Sequence, residues 1–151
     1  MNPRGASDPY NLQRFVEAQE PAYEAARAEL AAGAKRGHWI WFIFPQLKGL
    51  GMSAMSQEFG LSSLDEAKAY ISHPILGARL RECTRLVLNV EGRSVDQIFG
   101  YPDNLKFRSS MTLFAKSTRD DRIFRDALEK YFGGEGDPLT LERLGTSLGH
   151  S

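Results

Sequence analysis

The stretch from Pro74 to Gly92 does most to constrain what this chain can fold into. Leu76, Leu80, Cys83, Val87 and Val90 recur in steps of four and three. That period places side chains on one face of an α-helix and cannot keep them on one face of a strand. An apolar stripe of this kind has to be buried against other elements, and the rest of the chain reads as further helices with clear punctuation. Asp8 before Pro9 has the form of an N-cap followed by a first-turn proline, with Leu12, Phe15, Val16 and Gln19 on one face. Glu20-Pro21 breaks that helix and opens a second, with Tyr23, Ala26 and Leu30 inward and Gly33 near its end. Lys35 and Arg36 follow as cations suited to a helix C-terminus.

Downstream, "KGLGMSAMSQEFG" holds three glycines in thirteen residues and predicts a loop with one helical turn around Ala54 to Glu58. Ser63 and Glu66 have capping-box spacing at the start of a helix that His73-Pro74 ends. Ser94 to Phe99 reads as a short capped helix closed by Gly100. Pro102 then opens a segment whose inward positions are Leu105, Met111 or Thr112, and Phe114. Phe124, Leu128 and Tyr131 form one more stripe, and Thr140 is expected to cap a last short helix. These signals predict an all-α fold, a compact multi-helical single domain of short helices over residues 1–151. The core is expected at about 8–145, with frayed ends and at most a minor hairpin.

Composition narrows the class. Apolar residues make up 42% and charged residues 25%, ordinary values for a soluble domain. Lys plus Arg and Asp plus Glu are 19 each, and this balance argues against nucleic acid as a partner, since duplex binders carry a basic excess. No apolar run approaches the ~18 residues of a membrane helix, and "MNPRGASDPY" has no apolar signal-peptide core, so a cytoplasmic setting is expected. Cys83 is the single cysteine and sits within the apolar stripe, which predicts a buried structural thiol. His38, His73 and His150 do not pair with each other or with Cys83 at ligand spacing, so no metal is expected. With no phosphate loop, dinucleotide glycine fingerprint or nucleophile elbow, no cofactor is expected either.

Two segments carry the chemistry. The first is "GHWIWFIFPQL", residues 37–47, which contains both tryptophans and runs uncharged from Trp39 to Pro45. If helical, it puts His38, Trp41 and Phe42 on one side; if extended, His38, Ile40 and Phe42 share a face. Indole and imidazole planes beside Lys35 and Gln46 suit a pocket that stacks a base and holds an attached phosphate. The plainer reading makes each Trp a core residue. The second segment, "DQIFGYPDNLKFRSSMTLF", gathers Asp96, Asp103, Lys106, Arg108, Ser109 and Ser110. An acid there could serve as general base on water while a cation stabilises developing negative charge. Asp96 is equally well explained as a first-turn acid beside Ser94. Ser109 and Ser110, poor choices for a helix interior, point to close packing or to ligand hydroxyls.

The strings "RFVEAQ", "HWIWFIFPQLKGLG", "AYISHPILGARLREC" and "IFGYPDNLKFRSSMTLF" resemble the bacterial family named domain of unknown function 1810, over roughly Asp8 to Leu144. The resemblance implies a compact helical domain and brings no established activity. The calpastatin-like label often given to that family implies a disordered polar inhibitor, at odds with the apolar core pattern here. "DQIFG", from Asp96 to Gly100, is also similar to an element of the ADP-ribose and NAD-associated helical N-glycosidases, although their Trp–Glu–His–Gln–Lys front motif is not reproduced in order. That likeness implies a nucleotide-like or ADP-ribosyl ligand, bound or cleaved at its N-glycosidic bond. Trp39 and Trp41 would stack the base, and Lys35 and Lys106 would hold phosphate. His38 and Gln46 would orient the ligand, Asp96 or Asp103 would activate water, and Ser109 and Ser110 would supply hydroxyls. The alternative expectation is a non-catalytic helical protein-interaction module, its partner unspecified, with an exposed apolar patch.

Overall fold

The computed structural model describes residues 8–148, with side chains through residue 145; His150 and the terminal residues expected to fray lie outside this range. Ten α-helices and no strand occur among the described residues. They are α1 (Gln13–Gln19), α2 (Tyr23–Ala31), α3 (Ile40–Ile43), α4 (Ala54–Phe59), α5 (Leu64–Ser72), α6 (Leu76–Leu88), α7 (Val95–Phe99), α8 (Asp103–Ala115), α9 (Arg122–Phe132) and α10 (Pro138–Leu148). Among the described residues the only β pairing is a single parallel bridge between Leu47 and Leu61, less than the hairpin that the sequence allows.

Helix α6 packs against α2, α3, α5 and α9, and α8 packs against α3, α5, α7, α9 and α10. The stripe on α6 behaves as its period predicts: Leu76, Leu80, Cys83 and Val87 are buried. Burial pushes the Cys83 thiol up to about 12, with the Glu82 carboxylate adding to the shift, so it stays protonated and structural. Helix α8 follows a different rule. Phe107, Ser109, Ser110, Met111, Thr112, Leu113 and Phe114 are all buried, because neighbours surround the helix on most sides, and a surrounded helix has no single apolar stripe. Leu105, expected inward, is 44% exposed. It sits one turn before the crowded part of α8.

Several caps differ in register from the expectation. Asp8 does not stand directly before α1. Its carboxylate instead accepts from the backbone N–H groups of Leu12 and Gln13, at 2.6 and 3.0 Å, across an intervening turn, supplying the acceptor that Leu12 lacks. Ser63 caps α5 by accepting from Glu66 N–H. The Glu66 carboxylate does not return to Ser63; it accepts from the Ser62 N–H and hydroxyl and from Arg14, so the box is half formed. Asp137, not Thr140, caps α10: its carboxylate accepts from the Thr140 N–H and hydroxyl at 2.9 and 2.7 Å. A carboxylate offers two acceptor oxygens where a hydroxyl offers one. His73 Nδ1 accepts from Ile75 and Leu76 N–H at the start of α6, so the His73-Pro74 junction is a cap.

Candidate functional site

"GHWIWFIFPQL" is neither a strand nor a long helix. It makes one four-residue helix, α3, which ends at Phe44 in a non-helical backbone conformation. Most of it is core: Trp39, Ile40, Phe42, Ile43 and Phe44 are buried. Trp39 packs near Phe44 at 6.3 Å between ring centroids and donates its indole N–H to Glu29 Oε1 at 2.9 Å. Its ring is therefore closed to a ligand, contrary to the expected stacking role. His38 is exposed and lines neither of the clefts described below.

Glu29 explains how the approach to this segment is held, and sequence spacing did not single it out. Its carboxylate also accepts from the backbone N–H groups of Arg36 and Gly37, at 2.9 and 3.0 Å. Burial alone would raise its pKa, but these N–H donors, the Trp39 indole and nearby Lys35 together hold it below the ordinary 4.5. A depressed acid stabilises the fold above its unfolded pKa, and that contribution is lost as pH falls through the lower folded value. Glu29→Gln is therefore expected to unfold more easily than wild type at pH 7. The gap should narrow as pH drops below 4.5, which urea denaturation at a series of pH values would measure.

Lys35 is largely buried and points its ammonium at Asp103 Oδ2, 2.6 Å away. It also donates to the Gly37 carbonyl at 2.5 Å and lies 5.0 Å from the Trp39 ring centroid. It is thus neither a solvated cation at the end of α2 nor open to a phosphate, and Asp103 is engaged as its counter-ion instead of poised over a cleft. Asp96 accepts from Asn104 Nδ2 at 2.7 Å on another side of α8. Ser110 is fully buried with no partner for its hydroxyl; nothing in the structure explains that orphan.

What remains of the predicted set converges. Trp41, Gln46 and Lys106 line a narrow slot of about 10 Å³ with Ile40, Phe44 and Phe59. Gln46 and Lys106 also line an adjoining cleft of about 230 Å³, with Ser109, Leu50, Leu105 and Leu139. Residues 40–46 and the "DNLKFRSS" segment therefore face one another through Gln46, Lys106 and Ser109. Two side-chain atoms at the slot, Trp41 Nε1 and Gln46 Oε1, are buried without a hydrogen-bond partner. Such orphans are uncommon and cost about 1–3 kcal/mol each, so a native structure that keeps them has a reason to. One acid, Asp137, lines the wider cleft, and it is occupied capping α10. Among the described residues no cluster of three or more His, Cys, Asp or Glu side chains could hold a metal, and no helix is long and apolar enough to cross a membrane.

Residues 9–144 match the model of a family described as "Protein of unknown function (DUF1810)". The chain is also similar to a conserved hypothetical protein from Mycobacterium tuberculosis, known from its crystal structure. The two are 54% identical, the match covers 91% of this chain and 99% of that one, and the TM-score is 0.91. No curated protein matches.

Proposed function

The chain belongs to the DUF1810 family, whose description names no activity, and from its own geometry we propose that it is a binding protein for a small nucleotide-like ligand, an ADP-ribosyl compound included. The observation that carries this reading is the pair of orphan atoms at one slot, Trp41 Nε1 and Gln46 Oε1. One is a donor and the other an acceptor. The slot has room for about one polar atom, and a hydroxyl suits both, accepting from the indole and donating to the carboxamide oxygen. Outside it, Leu50, Pro102, Leu105 and Leu139 offer apolar surface to a ring, while Lys106 and Ser109 offer an ammonium and a hydroxyl to a phosphate.

The reading favours binding over N-glycosidic cleavage. A general base has to lie within hydrogen-bond reach of the attacking water, yet Asp96 and Asp103 do not line this cleft. Thermal shift against ADP-ribose, NAD and AMP tests the proposal. We expect stabilisation at millimolar ligand that Gln46→Leu and Trp41→Phe each reduce about tenfold in affinity, the loss of roughly one hydrogen bond to a buried group. The absence of any shift in the wild-type protein would sink it.

A second reading rests on a different observation. Met52 and Tyr101, 83% and 82% exposed, adjoin the cleft residues Gly51 and Pro102, and Leu139 is 57% exposed. An apolar rim of this kind fits a protein partner. Under that reading Tyr101→Ser and Leu139→Ser abolish a protein complex while nucleotide titrations stay silent.

A further inference from the structure

A larger groove shares one lining residue, Leu105, with the first cleft. It measures about 480 Å³ and is bounded by Arg93, Asp96, Asn104, Arg108, Lys130 and Tyr131. Three of these six are cations and one is an acid. The cations are held in place by backbone carbonyls: Arg93 donates to Gly33 and Gln97, Lys130 to Leu88 and Val90, and Arg108 to Glu135. Carbonyl contacts orient these groups and leave their charge unneutralised. Among the described residues, the one carboxylate from outside the groove within ion-pair distance of these cations, Glu135, is 3.7 Å from Arg108 and 83% exposed.

The second observation is Asn104. The residue is 9% exposed, and Nδ2 donates to Asp96 Oδ1 at 2.7 Å. That bond to a carboxylate fixes which end of the amide is nitrogen. Oδ1 is then an acceptor, buried and without a partner in the protein. A buried acceptor beside a carboxylate calls for ligand hydrogens, whereas the three cations call for ligand negative charge.

We propose that this groove binds a phosphomonoester of a small polyhydroxy compound, in its simplest form a sugar phosphate, with hydroxyls donating to Asn104 Oδ1 and Asp96 and the phosphate lying among Arg93, Arg108 and Lys130. A bare anion satisfies only the cations and an uncharged sugar only the acceptors; the combined ligand satisfies both. The proposal stands apart from the nucleotide reading of the first cleft, since the two sites share only Leu105.

Isothermal titration calorimetry on the full chain tests it with ribose 5-phosphate, inorganic phosphate and ribose. Ribose 5-phosphate is expected to bind about tenfold more tightly than inorganic phosphate, and ribose to give no measurable heat. Arg108→Gln, at the groove edge, and Asn104→Leu are each expected to weaken the sugar phosphate about tenfold or more. Lys68→Gln, which removes an equal charge on the exposed side of α5, should leave it unchanged. Should Asn104→Leu fail to fold, Arg108→Gln still decides the matter. The proposal is overturned by no binding of ribose 5-phosphate at about 10 mM, by equal affinity for inorganic phosphate, or by full affinity in folded Arg108→Gln.

Discussion

Replacing Phe107 by alanine is expected to cost about 4 kcal/mol, which lowers the thermal midpoint of a domain this size by about 8–16 °C. The ring is fully buried. It stacks on Phe99 at 4.6 Å between centroids, meets Phe44 edge-on at 5.0 Å, and has Phe132 at 6.3 Å. One side chain therefore ties α8 to α7, to α9 and to the backbone leaving α3. Truncation removes the burial of a large ring together with the aromatic contacts, and neighbours anchored on three separate segments cannot all close on the void. Leu105→Ala on the same helix provides the scale. That side chain is 44% exposed, and its loss should cost less than about 1 kcal/mol. Calorimetry on the two variants checks the pair, and similar losses would show that the aromatic cluster is not the fold's centre. Because α8 also carries Asn104, Lys106, Arg108 and Ser109, folded Phe107→Ala at low temperature should bind ligands in both clefts more weakly.

The elements that sequence reading located well are those whose signal is local. The α6 stripe, the Ser94 cap with its Gln97 reciprocal bond, and the breaks at Glu20-Pro21 and His73-Pro74 depend on residues a few positions apart. The misreadings arise where a partner comes from elsewhere. Lys35 looked like a helix-end cation because its counter-ion lies 68 positions away at Asp103. Leu105 looked inward because α8 has no single apolar face from which to count. Thr140 looked like a cap, although the stronger acceptor stood three residues earlier at Asp137.

The candidate site was legible to the same extent. An uncharged aromatic run and a segment rich in polar residues are expected to meet, and Gln46 lines a cleft with Lys106 and Ser109. His38 does not, since it precedes α3 and turns to solvent. What composition could not tell was which polar groups would be engaged within the fold and which left over. Asp103, Trp39 and Asp96 are engaged by Lys35, Glu29 and Asn104, whereas Trp41 Nε1, Gln46 Oε1 and Asn104 Oδ1 remain without partners. That distinction rests on three-dimensional hydrogen-bond accounting, and Asn104 carried no sequence signal of its own.

The Lys35–Asp103 pair offers a second large effect and separates a structural lysine from a ligand-binding one. Asp103→Ala is expected to destabilise the protein by about 3 kcal/mol, because it leaves an ammonium only 6% exposed with the Gly37 carbonyl and the Trp39 ring as its remaining partners. Lys35→Met should cost less. Asp103 is 20% exposed and begins α8, where negative charge is favoured by the helix dipole, so it can turn to water once its partner is gone. The double variant Lys35→Met/Asp103→Ala removes both charges and should return to within about 1 kcal/mol of wild type. Urea midpoints of the four proteins close the cycle. If Asp103→Ala costs no more than about 0.5 kcal/mol, as breaking an exposed pair such as Arg122–Asp126 would, the Lys35 ammonium is hydrated in solution and the pair is not structural. The same four proteins address function. A lysine that held phosphate would take ligand affinity with it in the double variant. With its charge already neutralised at 2.6 Å by Asp103, Lys35 should leave nucleotide affinity unchanged, while Lys106→Met lowers it about tenfold.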